Sequence, residues 1–396
     1  MTEHKIRNLV SDREQIITWR RYIHRHPETF GEESGTAAYI QGELKKLGLK
    51  ILPNIFENGF AALLEGDPHK KCVAVRADMD ALPIEEQTGF PFASEVPGKM
   101  HACGHDGHMS IMMGVAKALV ENPPQGTIKF IFQPREEKPP GGAKFMIENG
   151  VLENPKVDAI LGCHVNANFP TGTIALKSGI IMAVADDFTL HIYGKGGHGS
   201  APQATIDPIL VAAECVVALQ SIVSRINNPM YPLVISFGEI KGGTSQNIIP
   251  DEVMLTGTLR CLSNHVRDRA VSEMKRVLNG VTEAWGASYQ LDYLYAYPPL
   301  NNDETMVRLV EDVVKTLSGT DLPGIKTEIM PYSLLAGEDF AYYSQKVPAA
   351  YFMLGCEQPG HVYPWHHSCF TLNEDCLPIG VNVIANTASV LASQDK

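Results

Sequence analysis

The chain of 396 residues has no uninterrupted apolar run of the roughly 18 residues that a membrane span needs. It also lacks an excess of basic charge: 33 Lys and Arg face 45 Asp and Glu, for a net charge of −12. Nucleic acid and anionic membrane surfaces call for the opposite balance, so neither is an expected partner. The first residues, MTEHKIRNLVSDREQ, hold no basic segment followed by an apolar core, and no signal peptide is expected. Cysteine is sparse, eight residues scattered along the length. That usage is unlike a disulfide framework and points to a reduced, cytoplasmic chain. No internal repeat, low-complexity segment or long linker is visible. What remains is an ordinary globular balance, 44% hydrophobic and 20% charged, over a length that suggests two domains.

The first part alternates strand and helix signals. KCVAVRADMD, TIKFIFQPREE and VDAILGCHV each begin with a short apolar run and end in polar residues. Between the first two, SIMMGVAKALVENPP places Ile111, Met112, Val115 and Leu119 on one helical face, with Pro123 as a stop. Short apolar strands separated by helices predict an α/β domain with a mixed, mostly parallel sheet flanked by helices. Ligands of such sheets sit at the carboxyl ends of the strands. From about residue 185 the pattern changes to strand, helix, strand, strand, helix, strand, closed by ASYQLDYLYAY. This is the βαββαβ order of a ferredoxin-like unit. The expected division is therefore 1–184 with 297–396 as one domain, and 185–296 as an inserted one.

Residues 100–109 read MHACGHDGHM. On its own this run fits a metal site, a redox site or a crowded polar loop. Cys103 and His105 suit a borderline cation such as zinc. Glu136 and Glu137 follow a buried-strand signal; such a pair is commonly a solvated loop, but like charges held away from water need a cation. His164 ends the next strand, and WHHSCF adds His366 and His367. Asp78 and Asp80 follow the first strand, where one of them could orient a ligating histidine; they could equally cap a surface loop. Asp106 is a further candidate for that supporting role. GKGGHGSAP sets His198 among glycines. Asn247 and Arg260 lie beside strands; an arginine can hold a carboxylate with two parallel hydrogen bonds, although an ordinary surface arginine is the commoner case.

Eight motifs occur in order: RADMDALPIEE, MHACGHDGHM, FQPREE, GCHV, GKGGHGSAP, NIIPDEVMLTGTLR, GEDFAYY and WHHSCF. Together they closely resemble the aminoacylase-like amidohydrolases of peptidase family M20, which include hippurate hydrolases, N-acyl-amino-acid deacylases and auxin-conjugate hydrolases. The resemblance implies a di-metal catalytic domain and an inserted lid that commonly dimerises, giving a homodimer or higher homo-oligomer. It implies metal ligands at Cys103, His105, Glu137, His164 and His366, with Cys103 bridging and two divalent ions per subunit (zinc, manganese, nickel or cobalt). His366 is preferred over His367 by its offset from Phe370. The resemblance puts Glu136 in the general-base position. His198 resembles the lid histidine that serves a neighbouring subunit, and Asn247 and Arg260 the groups that hold the substrate carboxylate. The implied substrate is an N-acyl amino acid. A dipeptidase or carboxypeptidase with the same centre, and a non-catalytic metal-binding relative, stand as alternatives. Arg135 departs from the small residue usual before the two glutamates, and Ser368 from the usual proline.

Overall fold

The computed structural model describes residues 5–396. The chain divides into two compact units: Met1–Ile181 with Asn301–Tyr332 and Asp339–Lys396, and Met182–Leu300 with Ser333–Glu338. The second unit extends a few residues past 185–296 at both ends. It also takes in 333–338, a short segment with no periodicity to assign it.

The first unit is built on an eight-stranded mixed sheet. Its strand order is Lys50–Ile51, Phe60–Leu64, Thr127–Gln133, Cys72–Asp78, Ala159–Pro170, Ala349–Glu357, Thr173–Leu176 and Lys326–Ile329. The central pairs, from Thr127–Gln133 through Cys72–Asp78 and Ala159–Pro170 to Ala349–Glu357, are parallel. Every residue of Cys72–Asp78 and Thr127–Gln133 is buried, as expected of strands covered on both faces. Helices Arg13–Arg25, His105–Glu121 and Cys376–Ala392 pack with one another, and the second and third lie on this sheet. The helix foreseen from Ser110 begins five residues earlier, at His105 itself.

One residue of the central strand breaks the apolar pattern. Arg76 is buried and donates to Gln133 Oε1 (2.9 Å), Asp78 Oδ2 (2.7 Å) and Asp339 Oδ1 (2.6 Å). Asp339 Oδ2 also accepts from Gln133 Nε2 (2.6 Å) and the Ala143 amide (3.0 Å). Removing one partner of such a network leaves a buried charge uncompensated. Asp339→Ala is therefore expected to lower stability by about 3–5 kcal/mol, read from the urea unfolding midpoint. Asp375→Ala, which breaks an exposed pair with Arg13, is expected to cost about 1 kcal/mol or less. Equal effects of the two would contradict this account.

The second unit is a four-stranded antiparallel sheet in the order Leu233–Gly242, Glu252–Cys261, Val184–Tyr193, Ser288–Tyr297. Helices Pro208–Ser221 and Asn264–Trp285 pack on it and on each other. Element order and strand order are those of a ferredoxin-like fold. Gly286, left-handed at φ 68°, closes the second helix. The expectation of no membrane-length apolar stretch needs amending here. The helix running through Pro208–Ile226 is long and apolar enough by length and composition. Glu214 and Arg225 interrupt the run without lowering its average below that level. Val211, Ala212, Cys215 and Leu219 bury one face of this helix in the core of the second unit.

Candidate metal centre

Asp78, Glu136 and Glu137 lie at or just past the carboxyl ends of central strands, whereas His164, expected at a strand end, sits in the middle of its strand. Asp78 ends Cys72–Asp78; Glu136 and Glu137 follow Thr127–Gln133; His164 lies in Ala159–Pro170; His366 follows Ala349–Glu357. Cys103 and His105 flank Gly104, which has φ 86°. A Cβ on Gly104 would sit 2.3 Å from Val165 Cγ2. Only glycine allows both that backbone and that approach, and this brings Cys103 and His105 against the strand carrying His164.

The donor atoms form two triads that share one member. Cys103, His105 and His164 have ligand atoms mutually within 4.8 Å, and so do Cys103, Glu137 and His366. Cys103 Sγ is 3.5 Å from His164 Nε2. His366 Nε2 is 3.3 Å from Glu137 Oε1, and His105 Nε2 is 3.8 Å from the same oxygen. Glu136 Oε2 lies 4.0 Å from His105 Nε2. His366 has φ 64°, and its amide donates to Ala102 O at 2.9 Å. The neighbouring His367 turns away and stacks on Tyr363 at 4.6 Å.

Hydrogen bonds fix the rings. His105 Nδ1 donates to the Asp80 carbonyl (2.7 Å) and His164 Nδ1 to the Val165 carbonyl (2.8 Å). Each Nε2 lone pair is then aimed inward. The Asp80 carboxylate lies beside the His105 ring, with Oδ1 3.5 Å from Nδ1, and has a second task besides. Its two oxygens accept the amides of Glu136 and Glu137, each at 2.9 Å. Asp78 Oδ1 accepts from His108 Nδ1 at 2.6 Å, while His108 Nε2 accepts the Val165 amide at 3.0 Å. His108 thus joins the support of the site, a role its place in a histidine-rich run could not reveal. Asp106 faces away. It pairs with Arg20 (2.7 Å) and His24 (2.8 Å) of the first helix, and these hold its carboxyl well below the usual range against the cost of burial. The signal for that pairing was in WRRYIHRHPE, where Arg20 and His24 are four residues apart on one helical face.

The electrostatics call for a cation. Burial first, then Glu137, Glu136 and Asp78, push the Cys103 thiol well above its ordinary value. Burial opposes charge on His105, but Asp78, Asp80 and Glu137 outweigh it and raise its imidazole to about 10. His105 Nε2 is buried with no hydrogen-bond partner, an arrangement that costs free energy unless something accepts the lone pair. Thiol, imidazole and carboxylate donors around one cavity suit a borderline divalent metal, so these residues fit such an ion.

In the second unit, His198 and Asn247 come together on a short ribbon. Ile248 pairs with His198, and the Gly199 amide donates to Asn247 O at 2.8 Å. His198 Nδ1 accepts from the Ser200 amide (3.1 Å) and faces its Oγ at 2.8 Å, which leaves Nε2 as the protonated, exposed nitrogen. Arg260 is apart from this pair. It lies opposite Ala185, whereas Tyr193, which leads toward the ribbon, pairs with Glu252 at the other end of the strand. Its Nη1 donates to the carbonyls of Asp186 and Leu259, both at 3.0 Å.

Residues 74–389 match the model of peptidase family M20/M25/M40. An N-acyl-L-amino acid amidohydrolase of Geobacillus stearothermophilus is 42% identical, over 77% of this chain and 83% of its own. Thermostable carboxypeptidase 1 of Saccharolobus solfataricus is 40% identical over 95% of both chains. The crystal structure of YXEP from Bacillus subtilis, described as a dinuclear metal-binding peptidase of the M20 family, superposes with a TM-score of 0.82 at 34% identity. That match covers 96% of this chain and 98% of the other. Taken with the two triads that meet at Cys103, these likenesses leave one assignment: the chain belongs to peptidase family M20/M25/M40.

Proposed function

We propose that the chain is a metal-dependent amidohydrolase that cleaves the amide bond of N-acyl amino acids. The observation that carries this reading is the pair of triads sharing Cys103, with Glu136 beside them. His105, His164 and Cys103 would hold one divalent ion; Cys103, Glu137 and His366 would hold the other. Zinc, manganese, nickel and cobalt all suit such donors. Ions of this kind, when bound, polarise a carbonyl and lower the pKa of water from about 15.7 to about 7.

The chain's own groups account for the rest of the chemistry. Glu136 takes the proton of the attacking water and passes it to the leaving nitrogen. Asp80 holds the Glu136 backbone, so the carboxylate stays aimed while the proton moves. His198 offers Nε2–H to the oxyanion of the tetrahedral intermediate. Arg260 has Nε and Nη2 without partners among the described residues, a side-on pair suited to a substrate carboxylate, and Asn247 adds a polar group on the ribbon that carries His198. The test is a panel of N-acyl amino acids assayed after chelation and again after each metal is restored. Activity on none of them, or activity that survives complete chelation, would refute the reading.

The likeness to a carboxypeptidase at 40% identity favours a second reading, in which dipeptides or longer peptides are the substrates. Relative kcat/KM on N-acetyl amino acids and dipeptides separates the two. All eight cysteines are free thiols, which supports a reduced, cytoplasmic setting.

The proposal includes a homodimer through the second unit. Ile209, Leu210 and Val217 on helix Pro208–Ser221, Met230 and Tyr231 beyond it, and Ile240 on the edge strand Leu233–Gly242 are exposed apolar side chains. An open strand edge beside such a surface invites a second copy. His198 of the partner subunit would then complete each site. His198→Ala is expected to lower kcat about 100- to 1000-fold. Mixing that variant with Glu136→Gln subunits is expected to restore about a quarter of wild-type activity, since half of the dimers would carry one intact site of two. Well-mixed heterodimers without activity would exclude a shared site.

A further inference from the structure

Three successive amides shape the turn that aims the two glutamates, and two buried carboxylates receive them. Asp80 takes those of Glu136 and Glu137. The first, from Arg135, goes to Glu33 Oε1 at 3.0 Å. Glu33 is 0% exposed. It sits at the N-terminal boundary of helix Ser34–Lys46 but makes no side-chain cap there. Glu28 caps that helix in its place, accepting the Gly35 and Thr36 amides at 3.0 and 2.7 Å. The Glu33 carboxylate is thereby left to reach across to Arg135, with its second oxygen on Asn58 Nδ2 at 3.2 Å.

Arg135 has φ 61°, a left-handed backbone that residues with a Cβ rarely adopt. Such a conformation persists only where the surroundings over-determine it. The half-buried side chain of Arg135 makes one ion pair, with Glu57 2.9 Å away, and its buried Nε has no hydrogen-bond partner, so the side chain does little to hold the turn. The backbone is what is gripped, from both sides: Glu33 takes its amide, and its carbonyl accepts the Gly142 amide at 3.1 Å.

We infer that Glu33 is a positioning residue: by holding the Arg135 amide it maintains the left-handed turn that directs Glu136 and Glu137 into the centre. The inference deepens the proposed function, because it concerns the base and one ligand named there. Its mechanism is specific to the turn. Glycine at 135 adopts φ > 0 without strain, so a chain with Arg135→Gly should no longer depend on Glu33.

The experiment uses Glu33→Ala, Glu33→Gln, Arg135→Gly and the double variant Glu33→Ala/Arg135→Gly. Two measurements are made: steady-state kinetics, giving kcat and KM on an N-acetyl amino acid, and deuterium exchange of the 135–137 amides in chelated, metal-free protein. Glu33→Ala is expected to lower kcat about ten- to hundredfold, with KM changed less than about threefold. Its exchange should quicken about tenfold or more. Glu33→Gln keeps an acceptor oxygen and should stay within about threefold of wild type in kcat. The double variant should fall within about threefold of Arg135→Gly alone. A kcat loss from Glu33→Ala that is undiminished on the Arg135→Gly background would overturn the inference, as would unchanged exchange. Should Glu33→Ala fail to fold, folding of the double variant is the rescue read instead, and its failure counts against the inference. Exchange needs no turnover, so a wild-type protein inactive on acyl amino acids would refute the functional reading while the turn is still tested.

Discussion

Glu136→Gln is expected to keep two metal ions per chain and to lose about 10²- to 10⁴-fold in kcat, the range that a general acid–base group contributes. The substitution changes one atom type and almost no volume. Glu136 is buried, and its amide is anchored on Asp80 Oδ1, so the glutamine should occupy the same place. What it cannot do is accept a proton from water and return it to the leaving nitrogen. Because the loss falls on the reaction step, kcat and kcat/KM should drop together. The adjacent Glu137→Gln makes the informative contrast. Glu137 completes a triad with Cys103 and His366, so its amide variant should lose metal as well as turnover. Elemental analysis beside steady-state kinetics distinguishes the two. A Glu136→Gln enzyme within about tenfold of wild type would remove Glu136 from the role of base.

The parts of this centre that sequence could reveal are those whose chemistry is local. The α/β grammar of the first unit follows from runs such as Cys72–Val75 and Phe130–Phe132, because a strand buried on both faces must be apolar wherever it sits. The βαββαβ order of the second unit is equally local, since each of its elements has its own period. Cys103 and His105 stand out as a thiol and an imidazole two residues apart, which become decisive only beside the other motifs, and Glu136 and Glu137 because two carboxylates follow an apolar run. Positions whose meaning depends on distant partners were opaque. Arg76 reads as an interruption in a strand until Asp339, 263 residues later, is placed against it. Glu33 reads as one more acid in a helix-start segment, although its partner lies 102 residues on. His366 and His367 have identical side chains; the offset from Phe370 favours His366, and the backbone turn at 366 supplies the reason, setting one ring toward Glu137 and the other on Tyr363. Hydrogen bonds to backbone groups, such as the hold of Asp80 on the Glu136 and Glu137 amides and of His108 on the Val165 amide, leave no trace in composition or spacing.

Cys103→Ala is expected to empty both metal positions while the fold persists. Cys103 is the one donor common to the two triads, so its loss leaves two side-chain donors where each ion had three. The side chain is 7% exposed, and alanine preserves its Cβ, so the deletion amounts to one sulfur atom. Without a cation the thiol holds its proton, since burial and three surrounding carboxylates oppose a thiolate. A divalent ion reverses that balance and displaces the proton. Apparent metal affinity of the wild type should therefore rise with pH, and binding in weakly buffered solution should release protons that Cys103→Ala does not release. After dialysis the variant should retain well under one ion per chain, about a tenfold or greater loss of affinity, and turnover should fall with metal content. Its melting temperature should match that of chelated wild type to within a few degrees, because the same interactions are missing from both. Two ions retained by Cys103→Ala at normal affinity would show that the sulfur is a bystander, whatever its distance from His164.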